Sequence, residues 1–433
     1  MWIYGRIFIT GLLLAVLALP CAAWAQGDGL LDGLIDEVLK NNPEIQASAA
    51  RIEAARLRIP QVGSLPDPMF MVGYQNEGFE RYTYRREEGA QWMFSLSQQF
   101  YFPGKRGLKK EMALRDAESL EAMHELLKLK IIARVKELYY DLFFAYRSID
   151  VITEKQDLFV RIEDMALARY SAGKGMQAEV LMAQTEKYML MERTEMLKQK
   201  ILSLQAMLAA ALGRQDTSIP RPNAPVFVSY ALDEGAAVEL AVNNSPEIKA
   251  RKKMIASAQV KHKMAKMEYF PDFALGASYF SRGDKLFKSS DTSPFMDMWS
   301  MTATINIPLY FYWKQKPAVQ EAKAEMQQAE RETDTFKLMI IAAVRDNLSM
   351  LRSAEKLLNI YEQGLIPRNR QFLEQAMTTY ATGKADLVSV VSRVNVLLDY
   401  ELLYWEKLVE REKAIARLHA ITTEGLSRGE KDE

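Results

Sequence analysis

Four short segments of the chain alternate between apolar and polar positions, which is the pattern of β-strands with two different faces. In one of them Trp92, Phe94 and Leu96 share a face, and the opposite face is rich in serine and glutamine. Strands of about ten residues with aromatic ends and an uncharged polar face are typical of outer-membrane barrels. A soluble antiparallel sheet with one solvated face is the alternative. The four segments are 69–75, 91–100, 273–280 and 299–307.

Very long helices account for most of the remaining chain. No proline occurs between Pro103 and Pro220, and residues 108–169 are rich in the strong helix formers Leu, Ala, Glu, Lys and Met. A helix of that length extends roughly 90 Å. The matching segment 317–380 contains Pro367, which predicts a kink. Shorter helices are predicted at 43–62, 177–212 and 385–420.

The whole pattern occurs twice, which indicates an internal duplication. "LPDPMFMVGY" in the first half resembles "FPDFALGASY" in the second, and "YSAGKG" resembles "YATGKA", so that Tyr170 and Tyr380 are 210 residues apart. Each half is predicted to contain a helix, two strands, a long helix, a Gly-Lys turn and a second helix. The predicted divisions are a first repeat at 26–212, a Pro-rich linker at 213–234, a second repeat at 235–421 and a charged tail at 422–433.

The N-terminus has the features of a secretory signal peptide. Arg6 precedes an apolar run that ends near Ala23-Trp24-Ala25, and cleavage is predicted after Ala25. A retained membrane anchor is the alternative, but the run is shorter than the roughly 20 residues of a spanning helix. Pro20 argues against lipid attachment at Cys21, the only cysteine, so the mature chain is expected to lack a thiol.

Charge and composition indicate no catalytic, cofactor or metal site. Lys+Arg and Asp+Glu are both 56, which gives no electrostatic reason to expect nucleic acid as a partner. The three histidines are far apart and not at metal-ligand spacing. "ARYSAGKG" is not a phosphate-binding loop, because Ala168 stands where the first glycine belongs and Gly175 follows Lys174.

An oligomer follows if the strands lie in a membrane. Four strands cannot close a barrel, since the smallest membrane barrels have about eight, and an open sheet edge cannot face lipid. Several copies would then have to combine their strands. The long helices, with apolar residues around much of their circumference, would also gain partners.

The chain resembles the TolC-like outer-membrane efflux proteins. The resemblance covers nearly the whole mature chain and rests on "NNPEI", "LPDP", "FPGKR" after the second strand, and the twin turns "YSAGKG" and "YATGKA". "LPDPMFMVGY" and "QFYFPGKR" look most like the subgroup that serves heavy-metal resistance pumps for cobalt, zinc and cadmium or for copper and silver.

The resemblance implies a mainly α fold with a membrane β part. Three copies would form a twelve-stranded barrel in the outer membrane, surrounded by its lipid, with a tapering α-barrel in the periplasm. The implied function is passive export of heavy-metal cations or small toxic compounds, delivered by a periplasmic adaptor and an inner-membrane pump of the RND type. An exit duct for type I protein secretion and, in another class, a secreted coiled-coil scaffold remain alternatives.

The resemblance also assigns candidate sites. The turns that would meet the adaptor comprise Tyr170, Gly173, Lys174, Gly175, Tyr380, Gly383 and Lys384. Asp386 and Ser389 are the candidate gate: Ser389 stands where an aspartate narrows the entrance of TolC, and three copies of Asp386 would supply a different carboxylate ring. Alternation places Met69, Met71 and Met93 on the face that would line the lumen, where thioethers suit Cu(I). The other interpretation is that methionine fills irregular interfaces.

Overall fold

A computed structural model describes residues 29–225, 227, 230, 233–283 and 295–422. The predicted signal peptide and residues 423–433 of the predicted tail lie outside the described residues.

Helices and strands follow one another in the same order in both halves. The first half contains α1 (Gly29–Asn41), α2 (Pro43–Val62), β1 (Met69–Gln75), β2 (Gln91–Phe100), α3 (Lys105–Ser171) and α4 (Gln177–Leu212). The second contains α5 (Glu234–Asn244), α6 (Pro246–Met267), β3 (Phe273–Ser281), β4 (Met298–Ile305), α7 (Gln315–Ile360), a π-helical segment (Tyr361–Leu365), α8 (Ile366–Ala381) and α9 (Leu387–Thr422).

Most predicted elements are confirmed, and two short helices were not predicted. The bounds of α2, β1, β2 and α4 agree with the predictions, while α3 and α7 begin a few residues earlier than expected. Helices α1 and α5, of 13 and 11 residues, were not predicted from the sequence. A signal for α1 existed, because Leu31, Leu34 and Val38 have helical spacing and are buried. The start of α5 at Glu234 also places that residue in a helix and not in the predicted linker.

The four strands form one antiparallel meander in the order β1-β2-β3-β4. Its register keeps the predicted faces together, since Phe94 pairs with Val72 on one side and Tyr279 on the other. On the opposite face Ser95 pairs with Ser278, and Ser278 Oγ donates to Ser95 Oγ at 2.9 Å. Within the described residues β1 and β4 each have one neighbour, so both outer edges are open.

Helix α3 is the axis of the structure. It has 67 residues, which at the α-helical rise is roughly 100 Å, and it runs from the sheet to the turn that begins α4. It packs against α2, α4, α6 and α9, while α7 packs against α5, α6 and α9. Buried apolar clusters therefore occur at intervals along the helices, around Tyr139, Phe159 and Val344.

The interruption that Pro367 predicts takes the form of the π-helical segment, Tyr361–Leu365, just before it. Proline has no N–H, and its ring would clash with a carbonyl of the preceding α-helical turn. A single wider turn relieves that clash without ending the helix. The side-chain amide of Asn369 donates to Leu365 O at 2.8 Å and satisfies one carbonyl of this region.

Candidate functional site

Two turns with the same backbone geometry end the long helices. Gly173 and Gly383 have φ of 70° and 78°, in the left-handed region. In both turns the glycine N–H donates to the tyrosine carbonyl three residues earlier at 2.9 Å, and the lysine N–H reaches the carbonyl five residues earlier at 2.9 and 3.0 Å. This is the Schellman motif, which satisfies helix-terminal carbonyls and favours glycine at its left-handed position. The two predicted reversals are thus explained by backbone chemistry.

The other predicted turn residues differ in their surroundings. Lys174 and Lys384 are exposed. Gly175 is half-buried, and a Cβ there would lie 3.1 Å from both Arg169 Cβ and Glu179 Oε2. The first turn therefore has a close approach that any larger residue would disturb.

Three side chains connect the two turns, and we call them the tip cluster: Arg169, Glu179 and Tyr380. The Tyr380 hydroxyl donates to Glu179 Oε2 at 3.1 Å. The Arg169 guanidinium lies 4.5 Å from the centre of the Tyr380 ring and donates to the Tyr380 carbonyl. A second Arg169 nitrogen donates to Lys174 O at 3.2 Å. The cluster fastens α8 to the α3–α4 turn.

Burial and the Glu179 carboxylate raise the pKa of Tyr380 to about 12. Tyr380 is fully buried, whereas Tyr170, at the same place in the other turn, is 45% exposed. The sequence repeat alone predicts equivalent roles for the two tyrosines, and it does not identify Arg169 or Glu179 as turn residues. A signal was present at the matching positions 210 residues later, where the second turn has Thr379 in place of Arg169 and Ser389 in place of Glu179.

The candidate gate residues Asp386 and Ser389 contact each other at the start of α9. Asp386 Oδ1 accepts from Ser389 N–H at 3.1 Å and from Ser389 Oγ at 2.5 Å. Asp386 thus caps the helix N-terminus, and the hydrogen bonds from Ser389 lower the pKa of its carboxyl. Both side chains are exposed, so the charge faces solvent at the tip.

Met69, Met71 and Met93 lie at the opposite end of α3, on the serine-rich face of the sheet. Met69 pairs with Ser97 and Met71 with Ser95, while Met93 pairs with Gly73. The Met93 methyl group covers Gly73, because a Cβ on that glycine would be 3.2 Å from it. Among the described residues, no group of three His, Cys, Asp or Glu side chains is arranged to hold a metal ion. No helix in the described part of the chain is long and apolar enough to cross a membrane.

The family model described as "Outer membrane efflux protein" matches residues 34–214 and 237–418. The pyoverdine export outer membrane protein OpmQ of Pseudomonas putida is 24% identical over 375 residues, covering 83% of this chain and 76% of that protein. Protein CyaE of Bordetella pertussis is 25% identical over 335 residues, covering 74% and 68%.

Solved structures of other proteins have the same fold. The outer membrane protein VceC of Vibrio cholerae superposes with a TM-score of 0.76 at 20% identity, over 90% of this chain and 96% of that one. CusC superposes with a TM-score of 0.77 at 15% identity, over 91% and 92%.

Proposed function

The chain belongs to the outer membrane efflux protein family, and we propose that three copies of it form a passive export channel. Twelve strands would make the membrane barrel, and the long helices would make a periplasmic α-barrel below it. In this proposal the two halves arose by duplication, residues 1–25 are removed on secretion, and the Pro-rich 213–234 segment joins the repeats.

The four-stranded sheet is the observation that carries the proposal. One face exposes large apolar side chains, among them Phe70, Leu275 and Trp299, while the other face carries serine, threonine and glycine together with Met69, Met71 and Met93. Exposed apolar surface of this kind is costly in water and favourable in lipid. Open edges at β1 and β4 are costly in lipid. A closed ring of three sheets satisfies both conditions, with the polar face around a water-filled lumen.

The tip turns are the proposed docking surface for a periplasmic adaptor, which would bring an inner-membrane pump of the RND type. Lys174 and Lys384 present exposed ammonium groups beside glycine turns, and a three-fold ring would contain six such turns. A partner with acidic or carbonyl groups would complement them. The test is co-purification of the adaptor with parent protein and with a Lys174→Glu, Lys384→Glu variant; unchanged capture would remove these lysines from the contact.

The cargo is proposed to be heavy-metal cations or small toxic compounds. The resemblance of "LPDPMFMVGY" and "QFYFPGKR" to heavy-metal resistance channels supports cations. The pyoverdine exporter among the relatives supports an organic compound instead. Deletion followed by growth on zinc, cobalt, copper, silver, a drug panel and siderophore-dependent medium separates these cargoes. Wild-type growth of the deletion strain in every condition would contradict an efflux role.

Asp386 is the proposed gate charge, since three exposed copies would surround the entrance. Asp386→Asn is a clean test, because asparagine caps a helix about as well as aspartate while removing the charge. We expect weaker block by multivalent cations and lower cation selectivity in single-channel recordings, with helix content unchanged. Identical conductance and block would exclude Asp386 from the gate.

Met69, Met71 and Met93 are proposed to line the lumen, with transient metal contact as the finer hypothesis. Replacing all three with leucine keeps volume and removes the thioethers. Reduced copper or silver tolerance with unchanged zinc tolerance is expected if sulfur contacts the cargo. Unchanged tolerance to all metals would show that these methionines only fill space.

A further inference from the structure

A cationic groove lies on the surface of α7, beside the start of α5. Its volume is about 440 Å³, and it is lined by three cations, two serines and one carboxylate: Arg345, Arg352, Lys356, Ser349, Ser353 and Glu234. Arg345 Nε lies 3.1 Å from Glu234 Oε1, and Arg352 Nη1 lies 3.9 Å from Glu234 Oε2. A single carboxylate thus serves two arginines, and the three cations leave the lining with a net charge of +2. A segment rich in carboxylates is the occupant that this charge favours.

The two halves of the chain correspond at a constant separation. The first residues of α3 and α7, Lys105 and Gln315, are 210 apart, and so are the last residues of α4 and α9, Leu212 and Thr422. A position in the first half therefore matches the position 210 residues later. Three groove residues then match apolar or aromatic residues of α3: Ser349 matches Tyr139, Arg352 matches Leu142 and Lys356 matches Tyr146.

In the first half, the segment that follows α4 covers this part of α3. Ile219 is buried in the apolar cluster around Tyr139. Asn223 N–H donates to the Tyr139 hydroxyl at 3.1 Å, and the Arg221 guanidinium lies 5.3 Å from the centre of the Tyr146 ring. The chain that leaves α4 thus crosses α3 within 11 residues of the end of the helix at Leu212.

Helix α9 ends close to the groove, as α4 ends close to the matching part of α3. Leu418, four residues before the end of α9, shares a buried apolar cluster with Val344 and Leu351 of α7. These two residues flank the groove positions Arg345 and Arg352 in the sequence. A short segment after α9 can therefore reach the groove of its own chain.

The segment that follows α9, residues 423–433, is acidic, which complements the groove. Its four side-chain carboxylates outnumber its two cations, Arg428 and Lys431, so its net charge is −2. Three of the carboxylates, those of Glu430, Asp432 and Glu433, match positions 220–223, where the first segment crosses α3.

We propose that residues 430–433 dock in the groove on α7 of their own chain, with their carboxylates beside Arg345, Arg352 and Lys356. The contact takes the place of the one that Ile219 and Asn223 make on α3, with ion pairs where the first half uses aromatic and apolar side chains. Docking would neutralise the groove and fasten the end of α9 to α7. The contact lies within one chain, so the inference does not depend on the proposed trimer.

Cross-linking between two introduced cysteines tests the placement. Cys21, the only cysteine, lies in the predicted signal peptide. A Lys431→Cys, Ser353→Cys variant keeps every carboxylate of the segment and every cation of the groove. A short bis-maleimide should link the two positions within one chain, so that the product runs as a monomer on a denaturing gel and yields the linked peptide by mass spectrometry.

Two outcomes of this cross-linking would overturn the inference. The control pair is Lys431→Cys with Thr335→Cys, because Thr335 is exposed on α7 about 27 Å from Ser353 along the helix. A yield for the Ser353→Cys pair no higher than that of the control would show that the segment does not dock in the groove. Covalent dimers in place of linked monomers would show that the groove receives a segment from another copy.

Limited digestion with trypsin tests the charges without a cross-linker. Docking should protect the bonds after Arg428 and Lys431. An Arg352→Gln, Lys356→Gln variant should lose the segment roughly fivefold faster than the parent, as expected for the loss of two exposed ion pairs, and salt at about 0.5 M should bring the parent close to that rate. Lys323→Gln with Arg331→Gln, two exposed cations of α7 outside the groove, should leave the rate unchanged. Equal rates for the parent and the groove variant at low salt would overturn the inference.

Discussion

The two turns at the far end of the long helices have one backbone and two different roles. Gly173 and Gly383 adopt the same left-handed geometry with the same pair of hydrogen bonds. Tyr380, however, is enclosed by Arg169 and Glu179, while Tyr170 remains exposed on a single chain. The difference lies in the neighbours, since the second turn offers Thr379 and Ser389 where the first offers an arginine and a glutamate.

Glycine thus determines that the chain reverses, and the flanking residues determine what each turn contacts. At the tip, the contact within the chain uses the charged Arg169 and Glu179 and the buried Tyr380, whereas the residues at the matching positions, Thr379, Ser389 and Tyr170, are uncharged. Along the helices, Lys155 of α3 lies 2.7 Å from Glu401 of α9, whereas the positions 210 residues away from each, Leu365 and Met191, are apolar. We infer that the α3–α4 and α8–α9 hairpins are held together by a shared apolar cluster, to which these polar contacts are added.

Truncating the two tyrosines should separate their roles most strongly. Tyr380→Ala removes a fully buried aromatic ring and is expected to cost about 3–5 kcal/mol of unfolding free energy, in the range of large-to-small core substitutions. Tyr170→Ala should cost far less in protein kept monomeric in mild detergent. Guanidinium unfolding followed by helical circular dichroism measures both. Equal losses of unfolding free energy would show that the buried Tyr380 stabilises the fold no more than the exposed Tyr170 does.

Removing only the Tyr380 hydroxyl should have the next largest effect. Tyr380→Phe leaves Glu179 without its donor and is expected to cost about 1.5–3 kcal/mol, as for a hydrogen bond to a charged group. Tyr170→Phe, the matched control, should be close to neutral. A cost for Tyr380→Phe no greater than that of the control would indicate that the Glu179 contact is weak in solution.

The Tyr380→Phe variant also reveals how much Tyr380 contributes to the pH dependence of the unfolding free energy. The pKa of Tyr380 is raised from 10.0 to about 12 in the folded protein, because the buried ring does not readily ionise. An unfolded tyrosine ionises first, so the Tyr380 contribution to stability is complete below pH 10 and declines as the pH rises toward 12. The parent protein should therefore lose more stability than Tyr380→Phe over this interval. Equal losses of unfolding free energy in the two proteins as the pH rises from 10 toward 12 would contradict the raised pKa of Tyr380.

Alanine at the turn glycines tests what the two turns share. Gly173→Ala and Gly383→Ala each place a Cβ in a left-handed conformation, at an expected cost of about 1–2 kcal/mol. Neither site adds a steric clash below 3.4 Å, since nothing lies within 4 Å of the first and Arg169 lies 3.8 Å from the second. The two costs should agree, in contrast to the tyrosines. A markedly larger loss of unfolding free energy at one turn would mean that the left-handed backbone alone does not explain the need for glycine in both turns.

Features that a local rule determines could be predicted from the sequence. Strand alternation gave the two faces that the register confirms, and the Gly-Lys repeats located both turns. Features that depend on residues distant in the sequence could not. Arg169 lies in an ordinary stretch of helix and becomes important only because folding places it over Tyr380, 211 positions away. Helix α1 was missed although its apolar residues have helical spacing, because two glycines in thirteen residues lower the helix propensity of the segment.

The smallest expected difference concerns the helices that follow the turns. Asp386 caps α9 through Ser389, whereas Met176, at the matching position before α4, makes no side-chain cap. Met176→Asp should therefore stabilise α4 by a few tenths to about 1 kcal/mol, and Asp386→Ala should destabilise α9. Because the hydrogen bonds from Ser389 lower the pKa of Asp386, its contribution is present at neutral pH and lost as the pH falls below its ordinary value near 3.8. Thermal unfolding at pH 7 and at pH 3 measures these effects, and an Asp386→Ala loss that persists unchanged at low pH would show that packing, and not the carboxylate cap, distinguishes the second turn.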